Sequence, residues 1–164
     1  MLEEEDILDD DSLELEEYLN DDEILIHTHE KINSELCGKI EKLEKESLEL
    51  RLKTIPEMLA DSKGLIHGGF IFSAADYAAM ALVNERNVVL VASNAQFLSP
   101  VRLGDEVHFT ATVRHKEGRK RNVHVTAHVL DIKVFEGEFK TVITDRHVLK
   151  LNLLEEDDNE DNIL

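Results

Sequence analysis

The sequence predicts an α+β domain in which one long helix lies against a single antiparallel sheet. Three observations predict it. Residues 68–84 form an alanine-rich, apolar run that contains no proline. The segments before and after this run alternate apolar and polar residues with period 2, the pattern of half-buried strands. The charge is concentrated at the two ends of the chain. Residues 1–23 carry 13 acidic and no basic residues, and residues 155–164 carry 6 acidic and none basic. Residues 24–154 hold 17 acidic residues against all 18 basic ones. A near-neutral domain, placed here at 35–150, therefore stands between acidic tails at 1–34 and 151–164, and the net charge of −18 comes from the tails.

The elements follow in chain order. Gly38–Leu43 and Ser47–Thr54, joined by Glu44-Lys-Glu46, read as a hairpin in which Leu48, Leu50 and Leu52 alternate with Glu49, Arg51 and Lys53. Pro56 and Gly64 punctuate a loop. Gly68–Asn84 reads as the helix, because alanine is the best helix former and the run is apolar nearly all round, as a buried helix should be. Its five alanines (74, 75, 78, 79 and 81) would let a surrounding sheet approach closely. Strands are expected at Asn87–Phe97, Glu106–His115, Asn122–Leu130 and Lys133–Thr144, with a turn at Ser99–Asp105.

Composition excludes several classes. No apolar run approaches the roughly 18 residues of a membrane helix. The acidic start is the opposite of a basic signal-peptide region, so a cytoplasmic protein is expected. Cys37 is the single cysteine, which leaves no intrachain disulfide and no cysteine metal cage. Acidity this strong disfavours nucleic acid as a partner. The tails read either as solvated acidic runs or as short segments that dock on a basic protein partner. His27-x-His29 lacks a third ligand of suitable type, so no metal is expected, and His124 and His128 share a strand face.

The chemistry concentrates in Asp61–Asp76. Gly68 and Gly69 open the helix, where bare N–H groups and a partial positive charge of about half an elementary unit suit a carbonyl oxygen gaining negative charge. Asp76 lies two turns on among alanines, where an ionised carboxylate is costly unless it is used or paired. It is a candidate general base or nucleophile. Seven residues of helix separate it from Gly69, about 10 Å at 1.5 Å per residue. One copy of the helix cannot easily aim both groups at one acyl carbon. Two antiparallel copies across a two-fold axis could, so the chemistry predicts a dimer. Against this stands the plainer reading of Ser73, Asp76, Tyr77, Met80 and Asn84 as an ordinary solvent-facing stripe.

The run His67-Gly68-Gly69-Phe-Ile-Phe-Ser73-Ala-Ala-Asp76 resembles the hotdog-fold thioesterases, specifically the phenylacetyl-CoA-thioesterase-like branch, and Phe97-Leu-Ser-Pro-Val-Arg-Leu-Gly-Asp105 matches the strand and turn that follow. The resemblance covers roughly residues 36–146. It implies a long helix wrapped by an antiparallel sheet of five to six strands, a dimer or tetramer, and hydrolysis of acyl-CoA thioesters. By that resemblance the Gly69 N–H polarises the thioester carbonyl, Asp76 activates water or attacks directly, and His67 shapes the turn. Acyl-CoA is then substrate or ligand, and no cofactor is called for.

Two positions depart from the family pattern. Asp61 stands where the family often has asparagine that places water or substrate, and a second carboxylate near Asp76 would perturb it. Val88–Val91 is apolar where the family often has a hydroxyl; Ser93 is the nearest, with Asn94 as a substitute polar contact. The second half, through Gly104–Val107, Glu117-Gly-Arg119 and Val134–Phe139, resembles the acyl-CoA-binding hotdog domain of the malonyl-CoA-sensing repressor of fatty-acid synthesis. That likeness implies the alternative of a non-catalytic acyl-CoA sensor acting through its acidic tails. Finally, Arg114–Arg121 holds five basic residues and one acidic residue at a strand-to-strand turn. Arg119, Lys120 and Arg121 read as a solvated tip, as a clamp for the phosphates of CoA, or as a holder for the acidic tails.

Overall fold

The computed structural model describes residues 24–151. The expectations for the acidic tails at 1–23 and 152–164 lie outside these residues. A four-residue helical turn, α1 (Ser34–Cys37), leads into the hairpin β1 (Lys39–Leu43) and β2 (Ser47–Lys53). The long helix α2 (Gly68–Val83) follows, then β3 (Val88–Phe97), β4 (Glu106–Glu117), β5 (Lys120–Val129) and β6 (Ile132–Ile143). All six strands form one antiparallel sheet in the order β1-β2-β4-β5-β6-β3.

The alternating pattern puts one face of the sheet around α2. Leu50, Phe109, Ala127, Phe135 and Phe97 form one continuous row across five strands, since each is the register partner of the next. Leu48, Leu50, Leu52, Phe109, Phe135 and Phe139 are almost wholly buried there. Each contributes about 1.5–3 kcal/mol of burial free energy. All five helix alanines are 0% exposed, so no methyl group on that run reaches water. The solvent-facing stripe is thereby set aside for part of its length, because Tyr77 and Met80 are buried.

Gly38 is what allows α1 to end tight against β2. Its φ is +93°, and a Cβ there would lie 2.4 Å from Leu50 Cδ2 and 2.9 Å from the Arg51 carbonyl oxygen. The same close approach brings Cys37 onto α2, with its Sγ 3.4 Å from Ser73 Oγ.

The fold begins earlier than the boundary expected at residue 35. Residues 24–33 lie against the C-terminal end of α2, held by Asn84, which caps the helix in the left-handed region (φ 51°). The Asn84 side chain accepts a hydrogen bond from the His27 N–H (2.7 Å) and donates one to the Leu25 carbonyl (2.9 Å). Thr28 is buried, and the His29 ring lies 6.3 Å from that of Tyr77. Ile26 and Ile32 pack against the core as well, so the strap is held by burial together with the Asn84 amide; it adjoins the acidic run, which is why its sequence reads as tail.

Candidate active site

The N-terminus of α2 is built by the Gly-Gly pair and its surroundings. His67 is the N-cap residue, with extended backbone and no side-chain cap bond. The first N–H groups of a helix have no carbonyl within it to pair with; the Phe70 N–H is taken up by the His67 carbonyl (3.1 Å), and Gly68 and Gly69 come before it. The His67 imidazole folds over Gly69 so closely that a Cβ on Gly69 would lie 2.9 Å from Nε2. It packs edge-on against Phe70, at 6.1 Å between centroids. His67 therefore shapes the turn. On the other side, a Cβ on Gly68 would lie 3.4 Å from the ring of Phe97. A groove of about 330 Å³ runs past this point, lined by Leu65, Ile66, Gly68, Ile71, Phe97 and Val134.

Asp76 sits mid-helix. Its Oδ1 is buried without a hydrogen-bond partner among the described residues. Burial pushes its carboxyl up to about 6 from 3.8. The cause is loss of solvation and not a neighbouring carboxylate. Within one chain Asp61 is exposed, accepts hydrogen bonds from the backbone N–H groups of Lys63 (2.8 Å) and Leu65 (3.2 Å), and takes no part in the shift at Asp76. Asp61 thus folds the loop that delivers the chain to His67.

The remaining candidates scatter. Ser73 shares the helix face of Asp76 but its hydroxyl lies against Cys37. Asn94 is the register partner of Glu138, on the sheet face turned away from α2, whereas Ser93 is the partner of buried Phe139. The hydroxyl on the helix side is therefore that of Ser93, and Asn94 cannot reach the Asp76 side of its own chain. A register shift between Leu90 and Ala92 reverses the facing. On the outer face His124 is gripped by two carboxylates, Nδ1 2.5 Å from Glu138 and Nε2 3.0 Å from Glu136.

The basic turn lies at the opposite end of the molecule from Gly69. Gly68 is beside Phe97, the last residue of β3, while the first, Val88, pairs with Ile143, whose N–H bonds the Arg119 carbonyl. Arg119 forms an ion pair with Asp145. Arg121 Nη1 donates to the carbonyls of Gly118 (2.7 Å) and Lys120 (2.9 Å). Within one chain the structure brings together His67, Gly68 and Gly69, sets Asp76 farther along their helix, and does not bring Arg119–Arg121 to either. The sequence reading missed Phe97 as the wall against Gly68 and the Cys37–Ser73 contact. The adjacent Cys37-Gly38 pair is the only signal for the latter.

A family model described as the thioesterase superfamily matches residues 63–136, from the loop before His67 into β6. The structure of Cj0977, a sigma28-regulated virulence protein from Campylobacter jejuni, is 39% identical at a TM-score of 0.73 and covers 75% of this chain and 95% of that one. The chain belongs to the thioesterase superfamily. Its fold, one long helix wrapped by a six-stranded antiparallel sheet, is the hotdog fold of that superfamily. Among curated proteins, the methylthioribose-1-phosphate isomerase of Aquifex aeolicus is 53% identical over 117 residues, 71% of this chain and 26% of that protein. The transcription factor FapR of Shouchella clausii is 36% identical over 84 residues, 51% of this chain and 44% of that protein. The chain thus spans about a quarter of the first relative and under half of the second.

Proposed function

We propose that this thioesterase-superfamily protein hydrolyses acyl-CoA thioesters as a two-fold dimer, with Asp76 as general base or nucleophile and the Gly69 N–H as the oxyanion donor. One observation carries the reading: a carboxylate whose Oδ1 is buried without a partner among the described residues, on a helix whose own N-terminus offers bare N–H groups. As general base, Asp76 takes a proton from water, the water oxygen bonds to the thioester carbon, and the carbonyl oxygen gains the charge that the Gly69 N–H stabilises. Collapse breaks the carbon–sulfur bond, and the proton held on Asp76 passes to the departing CoA sulfur.

The two-fold assembly is supported by distance and by an open edge. Gly69 and Asp76 are about 10 Å apart along one helix. β3 is an edge strand, and Val91 and Phe97 on it are 54% and 55% exposed. A second copy pairing there would bring Gly69 of one protomer toward Asp76 of its partner. It would also carry the basic turn of one protomer toward the Gly-Gly end of the other, where Arg119, Lys120 and Arg121 could meet CoA phosphates.

The competing reading is an acyl-CoA-binding regulator without turnover, favoured by the similarity to the transcription factor FapR. A panel of acyl-CoAs separates the two. The wild type should turn over at least one member, and Asp76→Ala should lose that turnover by at least two orders of magnitude while keeping its thermal unfolding midpoint within a few degrees. Thermal stabilisation by acyl-CoA without turnover would replace hydrolysis with sensing.

A further inference from the structure

We propose that the basic β4–β5 turn is the docking surface of the chain's own C-terminal acidic segment, Glu155–Asp161. The cations are Arg114, Lys116, Arg119, Lys120 and Arg121, against the single carboxylate of Glu117. The exit of the chain from the sheet is built onto this turn. Ile143, the last residue of β6, donates its N–H to the Arg119 carbonyl (2.9 Å). Two residues later Asp145 is ion-paired with Arg119. Asn87 fixes the same corner: its carbonyl accepts from the Thr144 N–H (3.2 Å), and its side chain donates to the Asp145 carbonyl (3.4 Å). One acidic residue of the outgoing chain is therefore already on the turn, and Arg119 holds it well below the usual carboxylate range.

The acidic run begins four residues past Leu151, a reach of about 14 Å if fully extended. It carries 6 acidic and no basic residues. Single exposed ion pairs are weak. Several on one tether act at an effective concentration on the order of millimolar, and exposed charges are screened steeply by salt. The segment docks at low ionic strength and is released by salt or by a competing polyanion. If the basic turn also receives CoA phosphates, which rests on the function proposed above, the segment competes with CoA there.

Spin labelling of the full chain tests the docking without reference to activity. Cys37 is buried, so a nitroxide placed at Asn159→Cys is directed to the tail. In low salt the label should broaden the amide signals of residues 114–121 selectively. The broadening should vanish in high salt and in the triple variant Arg119→Ala, Lys120→Ala, Arg121→Ala. Uniform or absent broadening in low salt overturns the docking. So does broadening that survives the triple variant, or hairpin broadening from a label at Glu14→Cys with none from Asn159→Cys, which would make the N-terminal segment the occupant. Neutralising Glu155, Glu156, Asp157 and Asp158 to their amides should tighten CoA binding several-fold in low salt. If affinity is unchanged while the selective broadening is seen in the parent, the competition with CoA is rejected and the docking stands.

Discussion

Asp76 binds its proton more tightly in the folded chain than in the unfolded one, its carboxyl standing at about 6 against an ordinary 3.8. Between those two values the native state holds a proton that the unfolded state has released. Stability therefore falls as pH rises from about 4 to about 6 and stays reduced above that, by roughly 2–3 kcal/mol at 1.36 kcal/mol per pH unit. Asp76→Asn has no such charge to bury. It should be more stable than the wild type by about that amount at pH 8 and lose the advantage below pH 4. Denaturant midpoints of the two proteins across this range check the claim, and parallel curves would show that the carboxyl is not buried in the way described. The residue type and spacing at Asp76 were legible in the sequence because they repeat a motif. The facing of Asn94 was not. A bulge between Leu90 and Ala92 reverses the parity of β3, and a one-residue slip moves every later side chain to the other face.

At the scale of elements, hydrophobic period alone placed α2 and the strands to within two residues at nearly every end, because alternation and an all-round apolar run are direct consequences of burial on one side or on all sides. The strap at 24–33 contributes Ile26, Thr28 and Ile32 to the buried side but adjoins the acidic run, so its sequence reads as tail. It is held by side-chain hydrogen bonds from Asn84, whose left-handed backbone asparagine tolerates better than most residues. Asn84→Ala removes both bonds and should destabilise the protein by about 1–3 kcal/mol. Hydrogen exchange should quicken first at residues 25–28, with the sheet amides protected as before. Uniform loss of protection would mean that the strap and the sheet open as one unit.

For the whole molecule, the chain places Gly69, Asp76 and its basic turn along the length of one helix and one sheet, too far apart for a single small substrate within one copy. The sequence already contained that distance, since helical rise is fixed, but it could not show that Phe97 and Val91 lie open on an edge strand. In the function proposed above, one reacting site takes Gly69 from one protomer and Asp76 from its partner. Mixing two inactive variants tests it most directly. Gly69→Pro deletes the N–H donor but sets a Cβ 2.9 Å from His67 Nε2, so the variant is used only if it keeps the wild-type unfolding midpoint; Asp76→Ala deletes the carboxylate. Each alone should be inactive on the best acyl-CoA. After equal mixing and subunit exchange, half the dimers are mixed and each holds one intact site, so about a quarter of wild-type turnover should return. No recovery in a mixture shown to contain mixed dimers would contradict the shared site and return both groups to a single chain.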